Sequence, residues 1–254
     1  PNNILDQMNI EKPSPGLLPT FLLPDEAGNI KAVTDSTPII RRLENEVAGR
    51  SVIPNDPAVK FINFLLEDFG DEWVTKYMFH YRWHLKEDAE NAAKLLPLNN
   101  NVTLTEEIWK KFKDYIGPRQ IDRLWVVGSN ETTAPIIESS YKRFLSIMEK
   151  HFASFPFLLG YRPSSSDFAI YGQLTQLIGF DPTSRKIAHE ISPRTIAWVN
   201  TMEDQSGLDP KENDWLEIGS LPDSLQALLS EIGRVYVPAL LKNAKALENK
   251  DKTW

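Results

Sequence analysis

The stretch Phe157-Leu158-Leu159-Gly160-Tyr161-Arg162-Pro163-Ser164-Ser165-Ser166-Asp167-Phe168 reads as an apolar turn running into the start of a helix. Gly160 and Pro163 punctuate the chain, and Ser164 stands where a side-chain oxygen can accept the amide of the third helical residue. Asp167 can reach back to the amide of Ser164, so the two form a capping box with Asp in place of the usual Glu or Gln. Both are read as structural. The helix so started is expected over 164–178. Helical apolar spacing recurs on either side, near 57–95, 103–125, 133–152, 193–204, 221–231 and 233–248, between Pro, Gly and Asn clusters. Gly70 is expected to bend the first of these.

The N-terminal part reads differently. Ile4, Leu5, Met8 and Ile10 suit one face of a short helix, and Lys12 to Gly16 is a loop. Leu17 to Leu23, interrupted by Pro19, and Ile30 to Val33 read as short strands joined by the turn Pro24 to Asn29, a hairpin. A helix follows, capped by Asp35 or Ser36, with Pro38 in its first turn and Ile39, Ile40 and Leu43 as its apolar face. Ser51 to Pro57 is a linker. The expected architecture is mainly α: a small α/β piece over 1–54 and an all-α domain over 55–254.

Composition bounds the function. At 254 residues, with 41% hydrophobic and 25% charged, the chain is of ordinary globular make-up and holds one large or two modest domains. A net charge of −7 disfavours a surface that tracks phosphates, so no nucleic-acid partner is expected. No cysteine is present, which excludes disulfides, thiolate metal sites and a cysteine nucleophile in these residues and fits a reducing, cytoplasmic setting. No run approaches the ~18 apolar residues of a membrane span, and Pro1 to Ile10 has no leader pattern.

Three patterns, in order, resemble the glutathione S-transferase superfamily. Gly16-Leu17-Leu18-Pro19-Thr20-Phe21 is similar to the strand of its thioredoxin-like half that carries a cis-proline, so Leu18–Pro19 is expected to be cis. Asp35-Ser36, followed by Ile39, Ile40 and Leu43-Glu44, resembles the acidic-serine pair that opens the next helix. The capping box at Ser164 and Asp167 resembles that of a buried helix in the family's helical domain. The resemblance runs from about Gly16 to the end and implies a partial thioredoxin-like fold before the helical domain. It implies glutathione as a substrate rather than a cofactor, with Leu18, Pro19, Asp35 and Ser36 holding the tripeptide. Transfer of glutathione to a small apolar electrophile, or glutathione-dependent reduction, is the implied activity, and a homodimer is compatible with it. The chain departs from the family at its start, where too few residues precede Lys12-Pro13 for a first strand, helix and strand. No thiol-activating residue is assigned, and a non-catalytic binding or assembly module of the same fold is the alternative.

Other groups are weighed against plainer roles. Phe69, Trp73, Tyr77, Phe79, Tyr81 and Trp83 crowd one helix on two sides, as in a buried helix packed in the core; the resemblance implies that this helix also lines the pocket for the electrophile, and Tyr77 and Tyr81 are then the better candidates, since a buried phenol needs a partner. His80 and His84 have a zinc-compatible spacing, but there is no His-Glu-x-x-His and Arg82 brings positive charge close, so no metal is expected. Glu67, Asp68, Asp71 and Glu72 are expected to form a solvated face.

Overall fold

The computed structural model describes residues 2–251; residue 1 and residues 252–254, the outer ends of the two expected domains, lie outside the described residues. The chain divides into two compact units, one up to Ile53 and one from Pro54. It is mainly helical, with a single two-stranded antiparallel sheet among the described residues.

The first unit holds α1 (Asn2–Gln7), β1 (Thr20–Pro24), β2 (Ile30–Thr34) and α2 (Ser36–Glu46). Asp25 makes the hairpin turn: its Oδ1 accepts the amides of Ala27 at 3.0 Å and Asn29 at 2.9 Å, while Gly28 takes a positive φ of 84°. Arg42 on α2 donates to the carbonyl of Pro24 at 2.7 Å, tying the helix to the end of β1. Ile39 is buried on the inner side of α2, as its spacing suggests. The short N-terminal helix does not form the expected face, because Leu5 is buried while Ile4 and Met8 are exposed.

The second unit contains α3 (Pro57–Phe69), α4 (Thr75–His84), α5 (Lys86–Asn100), α6 (Glu106–Ile121), α7 (Ala134–His151), α8 (Ser165–Gly179), α9 (Pro182–Ile191), α10 (Pro193–Met202), α11 (Asp223–Val235) and α12 (Val237–Asn249). Two departures from the sequence reading have physical causes. The span 57–95 is not one helix. A π-helical turn, Gly70–Val74, separates α3 from α4, where a Cβ on Gly70 would stand 3.1 Å from atoms of Ala169 and Ile170; the close approach of α8 needs the missing side chain. Leu85, at φ −89° and ψ 128°, then breaks α4 from α5. The second departure is α9, which falls outside the helical segments expected from the sequence. Its first turn is capped from a distance, because Asp88 accepts the Thr183 amide at 2.9 Å and the Thr183 hydroxyl at 2.5 Å.

Helix α8 packs on α3, α4, α9 and α10, and its Ile170, Leu174 and Leu177 are fully buried. The capping box is formed as expected. Asp167 Oδ2 accepts from the Ser164 amide at 2.9 Å and its hydroxyl at 2.7 Å, and Oδ1 accepts from the Leu158 amide at 2.9 Å. Burial nevertheless outweighs these donors and pushes the carboxyl up from 3.8 to about 6. Between those two values the unfolded chain releases a proton that the folded chain keeps, so this group's contribution to stability falls as pH rises from about 4 to about 6. Asp167→Asn cannot titrate. The stability of the wild type minus that of Asp167→Asn is therefore expected to decline across this window in urea titrations, and a pH-independent difference would contradict the assignment.

Candidate functional site

The register of the hairpin pairs Thr20 with Thr34 at its open end and Pro24 with Ile30 at its turn. Pro19 directly precedes β1 and Asp35 directly follows β2, so the two segments flank the open end of the hairpin, with Leu18 and Ser36 one residue farther out. The four residues singled out in the sequence thus gather where β1 begins and α2 starts. The loop before β1 is fastened to this end: the Thr20 hydroxyl donates to the Leu17 carbonyl at 3.0 Å, and the Thr34 hydroxyl donates to the Pro15 carbonyl at 3.3 Å. The sequence reading missed both threonines; their opposition across the open end of the hairpin is the signal that identifies them. The Leu18–Pro19 bond is cis, as expected, and so is Ser14–Pro15.

Asp35 is the N-cap of α2 and has φ 77° and ψ 119°, a conformation that costs a non-glycine residue of order 1–3 kcal/mol. Its Oδ1 accepts the Thr37 amide at 3.1 Å. Pro38 has no amide, so the donor left at the tip of the helix is that of Ser36. The Ser36 hydroxyl is half-buried and makes no hydrogen bond among the described residues. The peptide N–H and C=O of Leu18 are likewise without a partner among the described residues, and Leu18 itself is 77% exposed. Unclaimed peptide groups and, on the other segment, a free hydroxyl, a helix N-terminus and a carboxylate therefore lie within two residues of the hairpin's open end. A helix tip of this kind favours an anion, and the Asp35 carboxylate favours a cation.

Tyr77 and Tyr81 belong to the second unit and are sealed in its core against Tyr141, with ring centroids 6.0 and 5.1 Å away. Neither phenol oxygen has a hydrogen-bond partner among the described residues, and burial pushes both hydroxyls well up. In this arrangement both side chains belong to the packed core of the second unit.

His80 is also buried. Its Nδ1 lies 2.8 Å from the Ser129 hydroxyl, its ring stacks on His84 at 4.8 Å, and its Nε2 stands 3.8 Å from Glu138. Burial, with the neighbouring His84 second, pushes its pKa down to about 4. Among the described residues no three His, Asp or Glu side chains converge on a point that could hold a metal ion. Arg82 does not crowd these histidines; it forms a bidentate ion pair with Asp181 instead. The expected solvated carboxylate face is corrected at one residue: Glu67 is buried and accepts from Ser165 at 2.5 Å, because α8 covers that side of α3, whereas Asp68 and Glu72 are exposed, with Asp68 accepting from the Tyr236 phenol at 2.6 Å.

No protein-family profile matches this chain, and no curated protein matches it.

Proposed function

We propose that this is a glutathione S-transferase-like protein whose first unit is a partial thioredoxin-like fold and whose site at Leu18, Pro19, Asp35 and Ser36 holds glutathione for transfer to a small apolar electrophile. The observation that supports the reading is that the two segments flank the open end of one hairpin, with Pro19 just before β1 and Asp35, the strained N-cap of α2, just after β2. The γ-glutamyl carboxylate is met by the Ser36 amide and hydroxyl with the partial positive charge of the helix end, and its ammonium by the Asp35 carboxylate. The cysteinyl residue pairs its own N–H and C=O with those of Leu18, adding a strand-like partner to the edge of β1.

The thiolate is the reactive form. It attacks the electrophilic carbon, a C–S bond forms, and the leaving group departs with its electron pair. Exposed Leu17, Leu18 and Phe21 supply an apolar surface around the site, which suits an apolar acceptor. A free thiol has a pKa of ~8.5, and lowering it by two units takes ~2.7 kcal/mol of differential stabilisation. Leu18 and Pro19 have no polar side chain and the charge on Asp35 acts in the opposite direction. These four residues therefore bind and orient, and the donor to sulfur is a different group.

Ser36→Ala separates binding from folding, because the hydroxyl has no bond within the described residues to lose. Calorimetric titration with glutathione is expected to give weak binding, with a Kd of about 1 mM, and roughly tenfold weaker binding for Ser36→Ala. Equal affinity in the two proteins would remove Ser36 from the site.

A further inference from the structure

Between the end of α5 and one side of α6 lies a hollow of about 380 Å³ within the second unit. Its apolar walls are Pro97, Leu104, Phe112, Tyr115 and Ile116. The three that belong to α6, taken with Arg119, follow the spacing i, i+3, i+4 and i+7, which at 100° per residue is one stripe about 100° wide. Phe112 and Tyr115 are 50% and 64% exposed, so the rings are open to a ligand rather than spent on the core. Arg119 is the one charged residue on these walls, and no carboxylate is among them, although the chain as a whole has a net charge of −7. The carboxylates of α6 itself, Glu106, Glu107 and Asp114, all lie about 120° or more from Phe112 round the helix. Among the described residues Arg119 makes no ion pair, and its guanidinium donates to the neighbouring Gln120 at 3.3 Å. Asn101 adds a second donor. Its Oδ1 is taken by the Thr103 amide at 2.9 Å and hydroxyl at 2.7 Å, while its side-chain NH2 has no partner among the described residues.

We propose that this hollow is a binding site for a small arylalkanoate, an aromatic ring joined by a short alkyl chain to a carboxylate. The ring packs on Phe112 and Tyr115, and the carboxylate takes the uncommitted fork of Arg119. The dimensions agree. Phe112 and Arg119 are seven residues apart, about 10 Å along the helix, which a phenyl ring, three methylenes and a carboxylate span. An apolar hollow of this volume with a few donors and one charge is the ordinary make-up of a small-molecule site. The donors fix the sign of the ligand: an amine would meet Arg119 as a like charge, and an uncharged analogue would leave the guanidinium unpaired. The glutathione site lies in the first unit, so the two readings stand or fall separately.

Calorimetric titration of the whole chain with 4-phenylbutyrate and with 4-phenyl-1-butanol tests this. The acid is expected to bind with a Kd of about 1 mM and the alcohol at least tenfold more weakly. Arg119→Gln, at an exposed position with no ion pair to lose, is expected to keep its helical circular dichroism and to bind the acid no better than the wild type binds the alcohol. In the wild type the backbone amide resonances of Asn101, Ile116 and Arg119 are expected to shift with the acid. Absence of binding at about 10 mM acid would overturn the proposal, as would equal affinity for acid and alcohol, full affinity in Arg119→Gln, or shifts confined to other parts of the chain. Shifts of the same amides with protein concentration alone would give this face to a second copy of the chain and overturn it equally.

Discussion

Asp181→Ala is expected to destabilise the second unit by about 3–5 kcal/mol. Arg82 Nε donates to Asp181 Oδ1 and its Nη2 to Oδ2, both at 2.9 Å, with a further bond to Gln176 at 3.0 Å. The guanidinium also stacks on Phe180 with its carbon 4.5 Å from the ring centroid, and both charged groups are buried. Burial pushes the Asp181 carboxyl up even against the pull of Arg82, so the site is poorly solvated. Removing the carboxylate leaves the buried guanidinium without its bonded counter-charge, and the cost is chiefly that of the stranded charge. The apolar double replacement Arg82→Met with Asp181→Leu is accordingly expected to recover most of the loss. Urea unfolding checks both: a cost below about 1 kcal/mol for Asp181→Ala would show that Arg82 finds water or another partner.

Gly160→Ala is expected to cost about 3 kcal/mol or more, through two independent effects. The residue sits at φ 128°, where a side chain is strained by of order 1–3 kcal/mol. A Cβ there would also lie 2.2 Å from the carbonyl oxygen of Asp214, and backbone cannot swing aside as a flexible side chain can. The two segments are stitched together at this point, since the Tyr161 amide donates to Asp214 and the Leu216 amide to Leu159, each at 2.8 Å. Relief of the clash would break these bonds and open the turn that leads into the capping box of α8. Thermal unfolding of Gly160→Ala against Gly172→Ala, a glycine with open space around its Cβ position, isolates the effect. Similar losses in the two variants would rule out the close approach as its source.

The parts of the fold legible in the sequence are those set by local chemistry. The box at Ser164 and Asp167 lies within four residues, and the turn at Asp25 to Asn29 is closed by its own side chains. The burial of Tyr77 and Tyr81 follows from a helix apolar on two sides. What stayed hidden depends on partners far along the chain. The cap of α9 comes from Asp88, 95 residues away, and the ion pair of Arg82 spans 99. Glu67 looks like a surface carboxylate until Ser165, 98 residues on, is folded against it. The candidate site lies between these cases. Asp35-Ser36 reads as a helix start and Leu18-Pro19 as an interrupted strand; only the pairing of the hairpin puts the two segments at the same end of it.

The most direct test of the glutathione site is a backbone amide NMR titration. On addition of glutathione, the amide resonances of Leu18, Ser36 and Thr37 are expected to shift together along one saturating curve, and Ser36→Ala is expected to displace that curve to higher glutathione concentration. Shifts confined to other parts of the chain, or none at saturating glutathione, would contradict the account.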